Sequence, residues 1–240
     1  IAPLYARFIE WLVRSKQKPP QPSYLDSALL IYPERALFAT VQELQRAARL
    51  CMNSFHLTLE IIFTDSKKDI QTIKLNESVV DEIKKAVKSY INTLNLRILS
   101  SRQALLAQAL NRCMADIERI GDHVDELCDI TIRRHKNPNA RLSRESLDML
   151  RELYECADKT MLALIASLNP EQESFRDAAK NIFEARDAYV VKSLAIKTAF
   201  ADKVVAHEIA SITGVYFSEY VAALDRIVRH AKTIALIEVQ

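Results

Sequence analysis

The sequence predicts an all-helical protein that consists of two related three-helix bundles in tandem. Three observations support this fold class. Only two of the 240 residues are glycine, Gly121 and Gly214, and a sheet protein needs more of them in its turns. Apolar residues recur at helical spacing through six long segments. The second half of the chain also resembles the first, which is typical of a duplicated unit.

The composition excludes several classes of protein. The formal net charge of +2 does not indicate a nucleic-acid-binding protein. The two glycines are too far apart to form a phosphate-binding loop. The four cysteines form no CxxC pair, and we expect them to be reduced core thiols in a cytosolic setting: Cys51, Cys113, Cys128 and Cys156.

The first residues are unusually apolar. Residues 1–13 contain Tyr5 and Trp11, and a basic and then proline-rich stretch follows them. This order is typical of a membrane helix leaving the bilayer on the cytoplasmic side, and the initial Ile indicates a fragment of a longer protein. The segment is shorter than the roughly 20 apolar residues that span a bilayer. A short amphipathic helix that packs on the domain is the alternative.

Helical periodicity begins after a proline-rich linker that ends at Pro33, a residue suited to the first turn of a helix. Breaks around 137–139 and 169–171 interrupt the periodicity. The predicted helices are 34–64, 69–98, 102–134, 143–168, a fifth to about 204 and 206–237. The predicted domains are a membrane-exit segment and linker at 1–32, a first bundle at 33–137 and a second, degenerate bundle at 138–240.

The third predicted helix shows the core pattern most clearly. Cys113, Ile117, Ile120, Val124 and Leu127 are spaced alternately by four and three residues. This rhythm is the seam of a helical bundle.

The internal repeat is clearest in the same helix. A shift of 107 residues places 116–120 (DIERI) on 223–227 (ALDRI) and His123 on His230. We therefore predict that a three-helix unit is duplicated.

The third predicted helix carries a row of acidic residues along one side, which points away from its apolar seam. Glu118, Asp122, Asp125 and Asp129 are four, three and four residues apart, so they share one face. Like charges at this spacing repel by roughly 0.2–0.5 kcal/mol per pair. A bound cation would turn that repulsion into attraction, because carboxylate oxygens are metal ligands.

The second helix supplies a similar pair, Glu77 and Asp81. If the second and third helices are antiparallel neighbours, these carboxylates converge with those of the third helix. A solvated acidic face is the alternative, since Asp81 precedes Lys85 by four residues, which is an ordinary helical ion pair.

These acidic segments resemble the paired E/D-x-x-x-D motifs of the PhoU family. The residues are DIERIGDH at 116–123 and ESVVDEI at 77–83. The resemblance implies two three-helix bundles in tandem, and it implies a metal cluster held on the outer surface. The ligands would then be Glu77, Asp81, Glu118 and Asp122, with Asp125 as a further candidate, and the metal would be iron, manganese, zinc or magnesium.

The linker is similar to the segment that joins the membrane part of sodium/phosphate cotransporters to their PhoU-like tail. The residues are 24–26 (YLD), 29–30 (LL) and 33–37 (PERAL). This likeness implies a regulatory domain at the cytoplasmic face of the inner or plasma membrane. Its partner would be the membrane transporter domain, in the same chain or a neighbouring subunit. The chain could also form a homodimer, and no nucleic acid is expected.

The second repeat departs from the acidic pattern. Asp81 corresponds to Ala188, and Asp122 corresponds to Arg229. Asp225 and Arg229 are spaced for an ion pair. We therefore predict one metal-competent face, in the first repeat only, and we expect His123 to be a polar surface residue.

The alternatives to a transporter tail are a stand-alone PhoU-type regulator of phosphate signalling and a metal-independent helical scaffold. A di-metal oxidase would need inward-facing carboxylates with Glu-x-x-His pairs. Glu118 and His123 are five residues apart, and no nucleophilic triad is indicated. The sequence therefore does not predict an enzyme.

Overall fold

The computed structural model describes residues 23–64, 68–169 and 175–239. This part of the chain contains six long α-helices, one short 3₁₀ helix and no strand, which confirms the all-helical class. The helices are α1 (Pro33–Thr64), α2 (Ile70–Leu94), α3 (Ser101–His135), α4 (Arg144–Ser167), α5 (Phe175–Val205) and α6 (Ser211–Val239).

The predicted membrane-exit segment at 1–13 lies outside the described residues. Within the described ranges, none of the helices combines the length and the apolar character that a membrane span requires.

Local signals explain where several helices begin. Pro33 is the first residue of α1, where its missing N–H removes no helical hydrogen bond. Ser100 and Gln103 form a reciprocal capping box at the start of α3. The Ser143 hydroxyl accepts a hydrogen bond from the Ser146 amide at the start of α4.

Two predicted helix ends were wrong. α2 ends at Leu94, four residues early, because the chain must turn before Ser100 caps α3. α6 begins at Ser211 rather than at 206, because the turn after α5 includes His207 in a left-handed conformation, with φ of 59°.

The helices pack as two sets of three. α1, α2 and α3 contact one another, as do α4, α5 and α6. Among the described residues, an extensive contact joins the third helix of each set, α3 and α6. These two helices run antiparallel, since Arg133 pairs with Glu219 while His230 contacts Asp116. The predicted domain boundary at 137 falls between the sets and stays a prediction.

Aromatic residues fill the core between the bundles. The Phe55 ring of α1 stacks on the Tyr154 ring of α4, with centroids 4.8 Å apart. The Tyr220 hydroxyl of α6 donates to Thr131 Oγ1 of α3 at 2.9 Å. Burial of these large rings stabilises the contact between the two sets of helices.

The linker that precedes α1 is held against the first bundle. Glu43 of α1 is fully buried, and its Oε2 accepts hydrogen bonds from the amides of Ser23 and Tyr24, each at 2.9 Å. The Tyr90 hydroxyl of α2 donates to the Asp26 carbonyl at 2.8 Å. The linker also forms a 3₁₀ helix, Ser27–Ile31, which the sequence did not predict.

Candidate functional site

The acidic residues predicted as ligands lie on neighbouring stretches of α2 and α3. These two helices are in contact, and the side chains sit at the edge of their apolar interface rather than within it. The set contains four half-buried carboxylates and one exposed carboxylate, Asp122. The half-buried ones are Glu77, Asp81, Glu118 and Asp125.

Glu77 on α2 and Asp122 on α3 are each influenced by the charge of carboxylates on the other helix. Partial burial raises the pKa of Glu77, and the negative charges of Asp125, Asp81 and Asp122 raise it further. Asp122 is an exposed residue, but neighbouring atoms partly desolvate its carboxyl group; this desolvation raises its pKa, and repulsion from Glu118 raises it further. Glu77 and Asp122 therefore resist ionisation, first because they are partly desolvated and then because neighbouring carboxylates are negative. The five predicted residues form one acidic cluster, a name used below for this set.

Lysines flank the acidic cluster at both ends. Lys74 Nζ lies 2.6 Å from Asp125 Oδ2 and 2.9 Å from Asp129 Oδ1. Lys84 Nζ lies 2.7 Å from Glu118 Oε1. The sequence reading missed both lysines, although Lys74, Glu77, Asp81 and Lys84 recur at helical spacing on one side of α2. That shared spacing was the signal that could have revealed them.

The helical ion pair named as the alternative is present, since Lys85 Nζ lies 3.2 Å from Asp81 Oδ2. Three of the five carboxylates therefore have a lysine partner. Glu77 and Asp122 take part in no ion pair with the described residues.

One oxygen of the acidic cluster is left without a partner. Asp125 Oδ1 is buried and accepts no hydrogen bond within the described structure. A buried, unsatisfied carboxylate oxygen is costly, and a cation would satisfy it.

The five carboxylates are suitable ligands for a hard cation, but their positions in this structure do not form a coordination site. All five groups offer carboxylate oxygen, which suits magnesium, manganese and iron. However, in the part of the chain that the structure describes, no three His, Cys, Asp or Glu side chains are positioned together to hold a metal ion. Coordination would require the Lys84 and Lys74 ammonium groups to leave their carboxylates.

The corresponding surface of the second bundle is organised differently. Asp225, the counterpart of Glu118, accepts hydrogen bonds from Tyr189 and Ser193 at 2.9 and 3.1 Å. It also pairs with Lys197, and among the described residues no ion pair joins it to Arg229. The negative charge of Asp225 is thus already compensated by neighbouring side chains.

The expectation that His123 is a surface residue was wrong. Its side chain is only 19% exposed, because α3 packs along α6 on this side. The His123 and His230 rings stack with centroids 5.6 Å apart. His123 Nδ1 is 3.0 Å from Glu126 Oε2, and His230 Nδ1 is 2.8 Å from Asp116 Oδ1.

Comparison with known proteins agrees with this architecture. A protein-family model described as PhoU domain matches residues 44–131, a range that contains the whole acidic cluster. No curated protein matches the chain.

Among solved structures, the fold is similar to that of the phosphate transport system regulatory protein PhoU from Streptococcus pneumoniae. The two chains are 13% identical, with a TM-score of 0.63. The alignment covers 88% of this chain and 94% of that one.

The chain therefore has the helical-bundle fold of PhoU over most of its length. Within it, the stretch 44–131 is the part that matches the PhoU-domain family model.

Proposed function

We propose that this chain is a regulatory PhoU-like domain that controls phosphate transport at the cytoplasmic face of a membrane. The observation that carries the proposal is the PhoU-domain match over 44–131, supported by a fold that resembles PhoU along nearly the whole chain. The proposed role is regulation rather than catalysis.

The proposed partner is the membrane part of a sodium-dependent phosphate transporter, in the same chain or in a neighbouring subunit. The attachment of the linker supports this arrangement. Its backbone amides at Ser23 and Tyr24 are fixed to buried Glu43, and Arg46 also holds Glu43, with 2.6 Å between Arg46 Nη2 and Oε1. A rearrangement of the first bundle would therefore move the linker as well.

Metal binding at the acidic cluster is the proposed signal that regulates phosphate transport. Glu77, Asp81, Glu118 and Asp122 would hold the ion, with Asp125 as a fifth candidate ligand. A bound cation would supply positive charge that offsets the mutual repulsion of these carboxylates. Lys74 and Lys84 oppose it, since they already neutralise part of the cluster. Metal could regulate transport only if it binds two arrangements of the bundle with different affinity.

Two other functions fit the same fold. A stand-alone PhoU-type regulator would act on a separate transporter and would not need a covalent membrane part. A metal-independent scaffold would use the acidic cluster only as a solvated or protein-docking face, and chelators would then leave its stability unchanged.

Phosphate uptake in cells tests the proposed function. We expect deletion of the gene to change the regulation of phosphate uptake, and the full-length gene to restore it. Replacing external sodium by potassium in the same assay tests the sodium-dependent transporter. Uptake that is regulated normally after deletion would contradict the regulatory role, whereas regulated but sodium-independent uptake would favour a stand-alone regulator.

Metal analysis tests the site separately. The purified chain is loaded with iron, manganese or zinc, desalted and measured by plasma mass spectrometry. We expect near-stoichiometric metal in the parent and little in Glu118→Ala/Asp122→Ala. The control, Asp148→Ala/Glu152→Ala, removes two exposed carboxylates at the same spacing from α4. Equal, negligible metal in all three proteins would leave the scaffold alternative.

A further inference from the structure

The turn between α2 and α3 exposes large apolar side chains at one end of the first bundle. Ile98 is 100% exposed and Leu96 is 86% exposed. In the second turn of α3, Leu105 is 66% exposed, and Leu106 beside it is exposed as well. Single exposed apolar residues are ordinary, whereas a group of them marks a surface that contacts a partner or a membrane. These four residues are called the apolar tip below.

The sequence around the apolar tip is strongly basic. Residues 83–115 contain six Lys or Arg residues and no Asp or Glu. Lys84 and Lys85 pair with carboxylates of the acidic cluster. The other four form no ion pair with any residue that the structure describes: Lys88, Arg97, Arg102 and Arg112. The apolar tip is therefore accompanied by uncompensated positive charge, which is complementary to an anionic surface.

The linker reaches the first bundle at this same end. Asn76 of α2 donates to Asn53 of α1 at 3.0 Å, whereas Tyr90, near the end of α2, donates to the Asp26 carbonyl before α1. These contacts show that α1 and α2 are antiparallel, so the start of α1 and the end of α2 lie together. The linker therefore lies beside the turn that carries the apolar tip.

The length of the chain before the linker limits how far this end can be from a membrane. Nine residues, 14–22, separate Ser23 from the predicted membrane-exit segment at 1–13. Nine residues span at most about 30 Å. If residues 1–13 leave a bilayer, the linker holds this end of the first bundle close to its surface.

The chemistry of the apolar tip suits the interface of a bilayer. Leu and Ile side chains gain free energy when they enter the boundary between headgroups and acyl chains. Arginines beside them keep their guanidinium groups at headgroup level, where they bind phosphate oxygens. Anionic lipids strengthen this attraction. A protruding turn with Ile98 fully exposed can enter the interface without any change in the helices.

We infer that the apolar tip inserts into the interface of a bilayer that contains anionic lipids, with Arg97 and Arg102 contacting lipid phosphate groups. The inference rests on the proposed location at the cytoplasmic face of a membrane and adds a direct lipid contact to it. The turn joins α2 to α3, so insertion would attach both helices of the acidic cluster to the membrane surface.

Tryptophan fluorescence of the full chain tests insertion directly. The protein has a single tryptophan, Trp11, so Trp11→Phe/Ile98→Trp carries one reporter at the apolar tip. The vesicles contain equimolar phosphatidylcholine and phosphatidylglycerol, with or without bromine on the acyl chains. We expect the emission to shift to shorter wavelength and to be quenched by the brominated lipid. Trp11→Phe/Val191→Trp places the reporter at an exposed position of α5 and should not be quenched.

Binding of the full chain to the same vesicles, measured by flotation, tests the apolar residues. Ile98→Gln/Leu105→Gln should lower the partition constant by about tenfold or more, because two apolar side chains no longer leave water. The control is Val191→Gln/Leu194→Gln, which changes two comparably exposed apolar residues of α5 and should bind like the parent.

The arginines are tested by the lipid charge. Arg97→Gln/Arg102→Gln should weaken binding to the anionic vesicles by about tenfold and leave binding to pure phosphatidylcholine unchanged. Lys159→Gln/Arg229→Gln, which removes two exposed cations of the second bundle, is the control. Equal weakening in this control would mean that the total charge of the protein, and not the apolar tip, determines binding.

Absence of quenching at position 98 would overturn the inference. An emission shift that depends on protein concentration without vesicles would also overturn it, because a second copy of the chain would then cover the apolar tip. Phosphate uptake in cells separates this result from the proposed function. Regulated uptake without quenching rejects lipid insertion alone, whereas quenching together with uptake that is regulated normally after deletion of the gene rejects the regulatory role alone.

Discussion

His123 and His230 stack across the contact between α3 and α6, although they are 107 residues apart and occupy the same position in the two repeats. The antiparallel arrangement of the two helices brings these equivalent positions together. Each ring is also hydrogen-bonded through Nδ1 to a carboxylate, Glu126 for His123 and Asp116 for His230. A second ion pair, Arg226 with Glu126 at 2.8 Å, crosses the same contact.

The environment of His123 predicts that acidification lowers the stability of the fold. Burial lowers the pKa of His123 below its ordinary value of 6.5, and the charges of Arg226 and His230 act in the same direction against the opposing Glu126. The unfolded chain therefore binds the proton more readily than the folded chain as pH falls through 6.5. We expect the free energy of unfolding to decrease from about pH 8 to about pH 5.5, by less than about 1.4 kcal/mol per pH unit from this group.

Urea unfolding across this pH range measures the effect. His123→Gln should show a smaller pH dependence than the parent. His207→Asn, which removes an exposed histidine, should retain the parent's slope. Identical slopes in the parent and His123→Gln would show that His123 is not the group responsible.

Two buried tyrosines predict opposite effects of removing a hydroxyl. Tyr154 is 1% exposed and its hydroxyl has no hydrogen-bond partner in the described structure. The Tyr220 hydroxyl, in contrast, donates to Thr131 Oγ1. We expect Tyr154→Phe to raise the free energy of unfolding by about 1 kcal/mol and Tyr220→Phe to lower it by a similar amount. Chemical denaturation gives both values, and equal losses in the two variants would mean that a solvent molecule satisfies Tyr154.

Lys84 competes with metal for Glu118, because its Nζ lies 2.7 Å from Oε1. Lys84→Met removes this charge but retains a side chain of similar length. We expect several-fold tighter manganese binding in calorimetry and a loss of no more than about 1 kcal/mol in the metal-free stability. Lys88→Met, a change at an exposed lysine one turn away, is the control. Unchanged manganese affinity in Lys84→Met would contradict metal binding at Glu118.

The cysteines should differ in reactivity. Burial raises the pKa of Cys51 to about 12 and that of Cys128 to about 11, so neither forms much thiolate at neutral pH. Cys156 is the only cysteine in the described ranges that is not buried. We expect iodoacetamide to modify Cys156 first in the native protein, as read by peptide mass spectrometry, and all four at similar rates in urea. Rapid native modification of Cys51 would contradict its burial.

The sequence by itself determined the helical class and the approximate helix positions. Apolar spacing along the third predicted helix identified its buried face, since Ile117, Ile120, Val124 and Leu127 are all fully buried. The predicted starts at 34 and 143 likewise lie within one residue of the observed starts of α1 and α4. These features depend on neighbours within a few turns, so they can be read from one segment at a time.

The pairing of charges was decided by tertiary structure. Spacing alone placed Asp225 with Arg229, but the fold brings Lys197 of the neighbouring helix to it. Likewise, the sequence showed five carboxylates at helical spacing, and only the packing of α2 on α3 placed them beside one another with Lys74 and Lys84. An i, i+4 pair contributes a few tenths of a kcal/mol, so contacts from another helix readily replace it.

The burial of His123 likewise could not be predicted from the spacing of residues along one helix. On α3 alone it lies outside the apolar seam, which predicts exposure. The side chain is half-buried because the second bundle supplies α6, and His230 with it, as an additional packing surface. Local periodicity identifies the face that a helix turns to its own bundle, whereas contacts between the two bundles join residues that are far apart in the sequence, such as His123 and His230.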